Sequence, residues 1–181
     1  MICEIKKCTG CGLCIAVCPK SCITLEKNEY GTLKYRVDEE KCIHCGKCHK
    51  MCPQNSQNSG HEPIRCYAGW ATEPSERVTS SSGGIAAAMY RRILNNGGAV
   101  VGACFVNGEF RLKLTENEED IDRFKGSKYV NCTSKNIFKS VKEKIESGKT
   151  VLFIGTPCQV ASIKSYIGES KLLYAKRGRP E

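Results

Sequence analysis

The stretch that decides the fold runs from residue 8 to residue 19 and reads CTGCGLCIAVCP. The pattern returns at residues 42–53 as CIHCGKCHKMCP, so every cysteine of the first copy recurs 34 residues later. The chain has 14 cysteines in 181 residues, and ten of them lie in residues 1–52. This concentration disfavours a disulfide scaffold spread over the whole chain and favours a metal-bearing N-terminal part.

The spacing C-x2-C-x2-C-x3-C-P is the run by which bacterial ferredoxins hold two [4Fe–4S] clusters. The first three cysteines bind one cluster, and the fourth ligates the other cluster. Zinc sites favour separated cysteine pairs, so we predict two [4Fe–4S] clusters. The predicted ligands are Cys8, Cys11, Cys14 and Cys52 for cluster 1, and Cys42, Cys45, Cys48 and Cys18 for cluster 2.

The region between the two cysteine runs predicts a small hairpin. Residues 22–26 and 33–37 are predicted strands, joined by a turn at 27–32. Residues 54–63 are polar and rich in turn formers, which predicts a linker.

Four polar or sulfur-bearing residues near the runs fall outside the ligand pattern. We expect Cys3 and Cys22 to be small apolar fillers beside the clusters. We expect His44 and His49 to be exposed polar residues rather than groups that tune the cluster potential.

Beyond the linker the sequence alternates between strand and helix patterns. The predicted strands are 66–71, 99–106, 110–114 and 150–154, and the predicted helices are 85–94, 116–124, 136–147 and 157–167. An apolar strip at 172–174 and an unstructured basic tail at 176–181 follow. The predicted fold class is α+β, with a ferredoxin-like two-cluster domain at 1–60 and a partial α/β domain at 61–181.

The formal net charge of +9 falls to +5 with both clusters bound, because each oxidised cluster with four thiolates adds two negative charges. The basic residues are scattered rather than clustered, which disfavours nucleic acid. A solvated surface, an acidic redox partner and an anionic cofactor all remain open. The apolar runs are short and no targeting segment is visible, so we predict a cytoplasmic protein that does not enter a membrane.

Two short motifs offer groups that could bind phosphate. In the first, Ser82 is expected to cap a helix while Gly83 and Gly84 let an anion approach the backbone. An ordinary cap with a tight turn is the alternative. In the second, Gly126 and Ser127 offer donors and Lys128 offers a compact positive charge. A surface turn is the alternative there.

A third motif begins the last predicted helix. Thr156 has the position of a helix cap, and Pro157 and Cys158 follow in the first turn. A thiol in this position suits metal or redox work, while a buried cysteine at a helix start is the alternative. Cys104 lies in a predicted strand and is expected in the core. The spacing of Cys66, Cys104 and Cys132 gives no warrant for an additional cluster.

These motifs together resemble one protein family. A two-cluster ferredoxin run is followed in order by SSSGG at 80–84, FKGSKYV at 124–130 and GTPCQ at 155–159. This order is similar to that of the beta-subunit family of coenzyme F420 hydrogenases and dehydrogenases, and the resemblance covers about residues 1–170. It implies a subunit that passes electrons between iron–sulfur clusters and a deazaflavin or another acceptor through FAD, together with a redox partner protein.

The resemblance also assigns roles to individual residues. It places Ser82, Gly83, Gly84, Gly126, Ser127, Lys128 and Thr156 at the FAD, and Cys158 at the redox site. Relatives usually continue well past the GTPCQ helix, so we expect 61–181 to be a truncated domain that could self-associate through an exposed apolar edge. The alternatives are a ferredoxin module whose second domain only docks a partner, and a remnant without catalytic activity.

Overall fold

The N-terminal unit is a hairpin flanked by two short helices. The computed structural model describes residues 1–56, 65–134 and 136–168. Strands β1 (Ile23–Lys27) and β2 (Leu33–Val37) pair antiparallel, as predicted. Helices α1 (Leu13–Val17) and α2 (Lys47–Met51) each begin directly after a glycine within a cysteine run, Gly12 and Gly46 respectively.

The second unit contains the remaining described helices and strands. They are α3 (Pro74–Val78), α4 (Ile85–Asn95), β3 (Ala99–Val106), β4 (Glu109–Thr115), α5 (Ile121–Phe124), α6 (Ile137–Glu146), β5 (Val151–Phe153) and α7 (Pro157–Ile167). Short 3₁₀ turns occupy Ile5–Lys7, Pro53–Asn55 and Glu118–Asp120. The mixture of helices and sheets confirms the α+β class.

The sheet of the second unit has the order β4-β3-β5. Strands β3 and β4 pair antiparallel across Asn107 and Gly108, whereas β5 lies parallel to β3 on its other side. Successive residues of β3 point to opposite faces of the sheet. Val100 and Cys104 therefore join the core under α4 and α5, and Val101 joins the core under α6 and α7.

The two units share one hydrophobic core. Leu13 of α1 is 1% exposed and packs in the same cluster as Phe138, Val141 and Ile163 of the second unit. A polar contact adds to this interface, because the Ser165 hydroxyl donates a 2.7 Å hydrogen bond to the Met51 carbonyl. The first cysteine run is therefore fixed against α6 and α7.

Two predictions of secondary structure were wrong, and one helix was not predicted. Residues 66–71 form no strand: the segment is largely exposed, and among the described residues it has no partner strand beyond a 2.6 Å bond from the Ala71 N–H to the Gly83 carbonyl. Helix α3, which begins with Pro74 in its first turn, was not predicted. The predicted helix at 116–124 is a 3₁₀ turn followed by the four residues of α5.

Several predictions fall on parts that the structure leaves undescribed. Most of the predicted linker, the apolar strip at 172–174 and the basic tail at 176–181 lie outside the described residues. Among the described helices, none combines the length and the apolar composition needed to cross a lipid bilayer.

Candidate functional site

The four cysteines predicted for cluster 1 line one cavity. Cys8, Cys11 and Cys14 come from the first run, and Cys52 reaches the same cavity from the end of the second run. Burial, together with the nearby charges of Cys11 and Cys8, raises the pKa of the Cys14 thiol to about 12. Four thiolates gathered this closely repel one another, and a cationic metal core would reverse that cost, so the donor set fits an iron–sulfur cluster.

The four cysteines predicted for cluster 2 line a second cavity, of about 180 Å³. Here Cys18, from the end of the first run, meets Cys42, Cys45 and Cys48. Burial raises the pKa of Cys48, and the charges of Cys45 and Cys18 add to this effect. The exchange of the fourth cysteine between the two runs is therefore present in the fold, and this donor set also fits a cluster.

Glycines give each run the turn that its cysteines require. Gly12 and Gly46 precede α1 and α2 with φ of 79° and 71°, a left-handed conformation that side chains disfavour. Gly10 lies so close to Leu33 that a Cβ at position 10 would come within 2.7 Å of the Leu33 Cβ. The first run is thus held tightly against the hairpin.

The cysteines outside the ligand pattern take different positions. Cys3 and Cys22 are each 5% exposed and line the cluster 1 and cluster 2 cavities respectively. Burial raises the pKa of the Cys3 thiol to about 12, so this side chain stays protonated. Cys104 is fully buried in β3, as predicted, and Cys66 is exposed.

A third cavity lies where the first cysteine run meets the second unit. It has a volume of about 280 Å³ and is lined on one side by Gly10 and Cys11. The family-like motifs supply much of the other side, through Gly126, Lys128, Thr156 and Cys158. We call it the junction cavity. Among its further lining residues are Tyr90, Asn131 and Cys132, which no motif or spacing in the sequence singled out.

A fourth cavity, of about 210 Å³, adjoins the junction cavity and is bordered by the start of α4. The two cavities share the lining residues Ala86, Tyr90, Phe124 and Gly126. This fourth cavity is lined by the three serines of the SSSGG motif and by Ser127 of the FKGSKYV motif. We call it the serine cavity.

Ser82 does not cap α4, contrary to the prediction. Gly84 occupies the cap position with φ of 74°, and no side chain caps the helix. A Cβ at position 84 would lie 3.0 Å from the Glu76 carbonyl oxygen, so both the backbone angle and the packing require glycine. The first-turn N–H groups of α4 border the serine cavity without a side-chain acceptor.

The remaining residues of this motif lie at different places. Ser82 is exposed and lines the serine cavity. Gly83 instead lines a separate open groove beside Trp70, where a Cβ would come within 2.9 Å of the Gly69 carbonyl oxygen. Gly83 is therefore required for packing, and the structure does not bring it into the two adjoining cavities.

The loops at 80–84 and 125–128 are tied together. The Ser127 N–H donates a 2.9 Å hydrogen bond to the Ser81 hydroxyl oxygen, and the Lys125 ammonium donates to the Thr79 hydroxyl at 2.8 Å. Lys125 also pairs at 3.2 Å with Glu76, a buried carboxylate that accepts a 2.7 Å bond from Arg91. These contacts make one continuous wall of the two loops.

Lys128 has a different role from the one predicted. Its ammonium group donates to the Arg123 carbonyl at 3.0 Å, to the Phe124 carbonyl at 2.9 Å and to the Lys125 carbonyl. All three ammonium hydrogens are thus engaged at the C-terminal end of α5. In this arrangement Lys128 closes a helix and shapes the loop, and no donor remains for a phosphate.

Thr156 and Cys158 lie at the start of α7 and line the junction cavity together with Cys11. The Thr156 N–H donates a 2.9 Å bond to the Gln159 side chain, and the Thr156 hydroxyl lies 3.2 Å from the Cys158 sulfur. Burial raises the pKa of Cys11, and the charges of Cys52 and Cys158 raise it further. Cys158 therefore neighbours a predicted cluster ligand and lines the junction cavity as well.

Comparison with known protein families finds a match in each unit. Residues 7–56 match the 4Fe-4S dicluster domain. Residues 66–139 match the N-terminal part of the beta subunit of coenzyme F420 hydrogenase/dehydrogenase.

The two matches support the resemblance to the coenzyme F420 hydrogenase/dehydrogenase beta-subunit family.

The chain thus combines an iron–sulfur electron-transfer module with a domain that is similar to the N-terminal part of this beta subunit. The matched range of that domain includes the loops at 80–84 and 125–128 and ends before α7. No curated protein matches the chain.

Proposed function

We propose that this chain is an oxidoreductase subunit that passes electrons through two [4Fe–4S] clusters to FAD, and from there to a soluble acceptor such as a deazaflavin coenzyme. The observation that carries the proposal is the junction cavity, because Cys11 lines both this cavity and the cluster 1 cavity. A group bound there would lie next to a cluster ligand.

The proposed route through the protein follows from this geometry. Cluster 1 would be held by Cys8, Cys11, Cys14 and Cys52, and cluster 2 by Cys18, Cys42, Cys45 and Cys48. Because each run contributes one ligand to the other cluster, the two clusters are bound close together. In this route cluster 1 lies beside the junction cavity, and cluster 2 lies farther from it.

The residues around the two adjoining cavities fit FAD. Their combined volume lies within the range of about 300–1,000 Å³ typical of pockets for small molecules and cofactors. The uncapped first turn of α4 and the hydroxyl groups of Ser80, Ser81 and Ser82 suit an anionic phosphate in the serine cavity. The aromatic side chains of Tyr90 and Phe124 stand between the two cavities and suit a flat ring.

Each of the motif residues then has a defined task. The backbone of Gly126 borders both cavities and leaves room for a ligand between them. Lys128 holds its loop in place, and Thr156 fixes the start of α7. Cys158, which lines the junction cavity together with Cys11, is the proposed redox-site residue. FAD itself would supply the exchange between one-electron steps at the clusters and hydride transfer to the acceptor.

Anaerobic reconstitution tests the proposal in two stages. We expect about eight iron and eight sulfide per chain, and a cluster-loaded chain that binds FAD in a fluorescence titration. Substituting Ala86→Phe should weaken FAD binding at least tenfold, because residue 86 lines both cavities. The matched control is Met89→Phe on the same helix, since Met89 lines neither cavity. Clusters without FAD binding would contradict the FAD proposal and favour the alternative, a ferredoxin module that docks a partner.

A second experiment tests the role of Cys158. The clusters of the FAD-loaded chain are reduced with limiting dithionite, and bleaching of the flavin band is followed in time. We expect Cys158→Ser to keep the iron content but to slow the bleaching, whereas Cys66→Ser, at an exposed position outside the cavities, should not. An unchanged rate in Cys158→Ser would remove this residue from the proposed redox site.

A further inference from the structure

The internal repeat gives the N-terminal unit two equivalent faces, and the second unit covers the first of them. Leu13 begins α1 and is 1% exposed within the shared core. The equivalent residue 34 positions later is Lys47, which begins α2 and is exposed. The face of cluster 1 that carries Leu13 is thus an internal docking face, and its counterpart at cluster 2 is open among the described residues.

The residues of the second face differ from those of the first in one consistent way. Lys47 replaces Leu13, and Lys50 replaces Ala16. Both lysines are exposed and lie one turn apart on α2. Ile43, which is 55% exposed, lies in the loop before them. We call Ile43, Cys45, Lys47 and Lys50 the α2 face.

The positive charge of the α2 face is not consumed by nearby carboxylates. Within the described residues, neither Lys47 nor Lys50 forms an ion pair. Two of the three acidic residues before the second run have other neighbours: Asp38 accepts a 2.6 Å bond from Lys41, and Glu39 lies 4.0 Å from the His44 ring. An apolar centre with cationic neighbours is suited to brief contact with a negatively charged protein surface.

The cysteine ligands of the two proposed clusters also differ in exposure. Cys11 of cluster 1 packs beside the second unit, whereas Cys45 of cluster 2 is exposed. Electrons therefore enter or leave the chain most directly through cluster 2. The protein's net charge of +9, or +5 with clusters bound, favours encounter with an acidic partner over a basic one.

We propose that the α2 face is the docking surface for an acidic one-electron carrier protein, which exchanges electrons with cluster 2. In each encounter one side loses one electron and the other gains one, and no bond forms or breaks. Complexes of this kind bury less than about 1,200 Å² and are short-lived, which suits a small charged face. The inference rests on the proposed clusters and does not depend on FAD.

The test uses the cluster-loaded chain, reduced and free of FAD, in a stopped-flow instrument. Two oxidised acceptors are compared, an acidic blue-copper protein of the plastocyanin type and a basic cytochrome c. At low salt we expect Lys47→Glu/Lys50→Glu to slow electron transfer to the blue-copper protein at least tenfold, and to leave transfer to cytochrome c unchanged or faster. High salt should remove most of the difference.

The control is Arg92→Glu/Lys139→Glu, which makes the same change in net charge on α4 and α6 and should alter the rate less than twofold. If Lys47→Glu/Lys50→Glu fails to load clusters, Lys47→Gln/Lys50→Gln should show a smaller slowing in the same direction. Wild-type rates to the blue-copper protein, or a slowing confined to cytochrome c, would overturn the docking proposal. An iron deficit in the parent chain would instead point to failure of the proposed clusters.

Discussion

The hydroxyl oxygen of Ser81 accepts a 2.9 Å hydrogen bond from the backbone N–H of Ser127. This bond joins two loops that are 46 residues apart in the chain, and both loops line the serine cavity. Their relative position defines the space into which we place the phosphate end of FAD. The bond therefore has a structural role that can be measured through ligand binding.

Substituting Ser81→Ala should weaken FAD binding without unfolding the chain. Loss of one hydrogen bond of this kind costs about 0.5–1.5 kcal/mol, which corresponds to roughly a two- to twelvefold higher Kd. Fluorescence titration of the cluster-loaded variant measures the change. Ser75→Ala removes a serine whose hydroxyl contacts exposed Glu73 and should leave the Kd unchanged. Equal Kd values for parent and Ser81→Ala would show that the loop contact does not shape the cavity.

The exchange of ligands between the two cysteine runs predicts a contrast between two double variants. Cys14→Ala/Cys52→Ala removes two proposed ligands of cluster 1 and should leave one intact [4Fe–4S] cluster, with about four iron per chain. Cys14→Ala/Cys18→Ala removes one ligand from each cluster and should leave no intact [4Fe–4S] cluster.

Iron and sulfide analysis together with EPR of the reduced protein distinguishes the two variants. Cys104→Ala is the control, because Cys104 is buried in β3 and lies away from both cysteine cavities. If Cys14→Ala/Cys18→Ala were the variant that retains one intact cluster, each run would bind its own cluster and the proposed ligand sets would be refuted.

Gly102 in β3 is predicted to tolerate no side chain. A Cβ at this position would lie 2.6 Å from Phe124 and 2.8 Å from the Tyr90 hydroxyl oxygen. Overpacking of this kind costs about 1–3 kcal/mol, so Gly102→Ala should lower the Tm by several degrees in calorimetry. Gly69→Ala is the matched control, since its Cβ would meet Ile85 at an ordinary 3.9 Å. The same Tm shift in both variants would show that the effect comes from the loss of glycine itself.

Asp120 should make stability depend on pH in the acid range. Burial alone would raise the pKa of this carboxyl, but hydrogen bonds from Lys113 at 2.7 Å and Thr115 at 2.6 Å outweigh burial and hold the pKa below its ordinary value of 3.8. Because the pKa of Asp120 is lower in the folded state than in the unfolded state, the ionised carboxylate stabilises the fold at pH values above the unfolded-state pKa. This stabilisation is lost as the pH falls through the folded-state pKa.

Substituting Asp120→Asn should therefore cost about 1–3 kcal/mol at neutral pH, and the difference from the parent should shrink as pH falls below about 4. Thermal unfolding of both proteins across this range measures the effect. Glu119→Gln, on an exposed neighbour, should shift the Tm little at any pH. A constant difference between Asp120→Asn and the parent would mean that the carboxylate charge is not what stabilises the fold.

Much of the fold could be predicted because its signals are local. The hairpin of β3 and β4 follows from apolar runs around Asn107 and Gly108, and α7 follows from Thr156 and Pro157 at its start. The grouping of cysteines from both runs follows from spacing alone.

Other features depend on contacts distant in sequence. Residues 66–71 have the apolar composition of a strand, yet they bond to Gly83 rather than to a sheet. Ser82 has the residue type of a helix cap, but close packing against Glu76 assigns that position to Gly84. The hydrogen bonds of Lys128 to backbone carbonyls depend on where α5 ends, and the local sequence of α5 does not predict that end. The sequence signal for α3 was present, because Pro74 commonly opens a helix.

The burial of Leu13 among Phe138, Val141 and Ile163 has a consequence for how such proteins can be assembled. The N-terminal unit cannot be transferred to another protein by itself, because its removal would expose the hydrophobic core that it shares with the second unit. A graft onto another protein would therefore have to include α6 and α7. We therefore expect the two units to be kept together in evolution as well as in protein engineering.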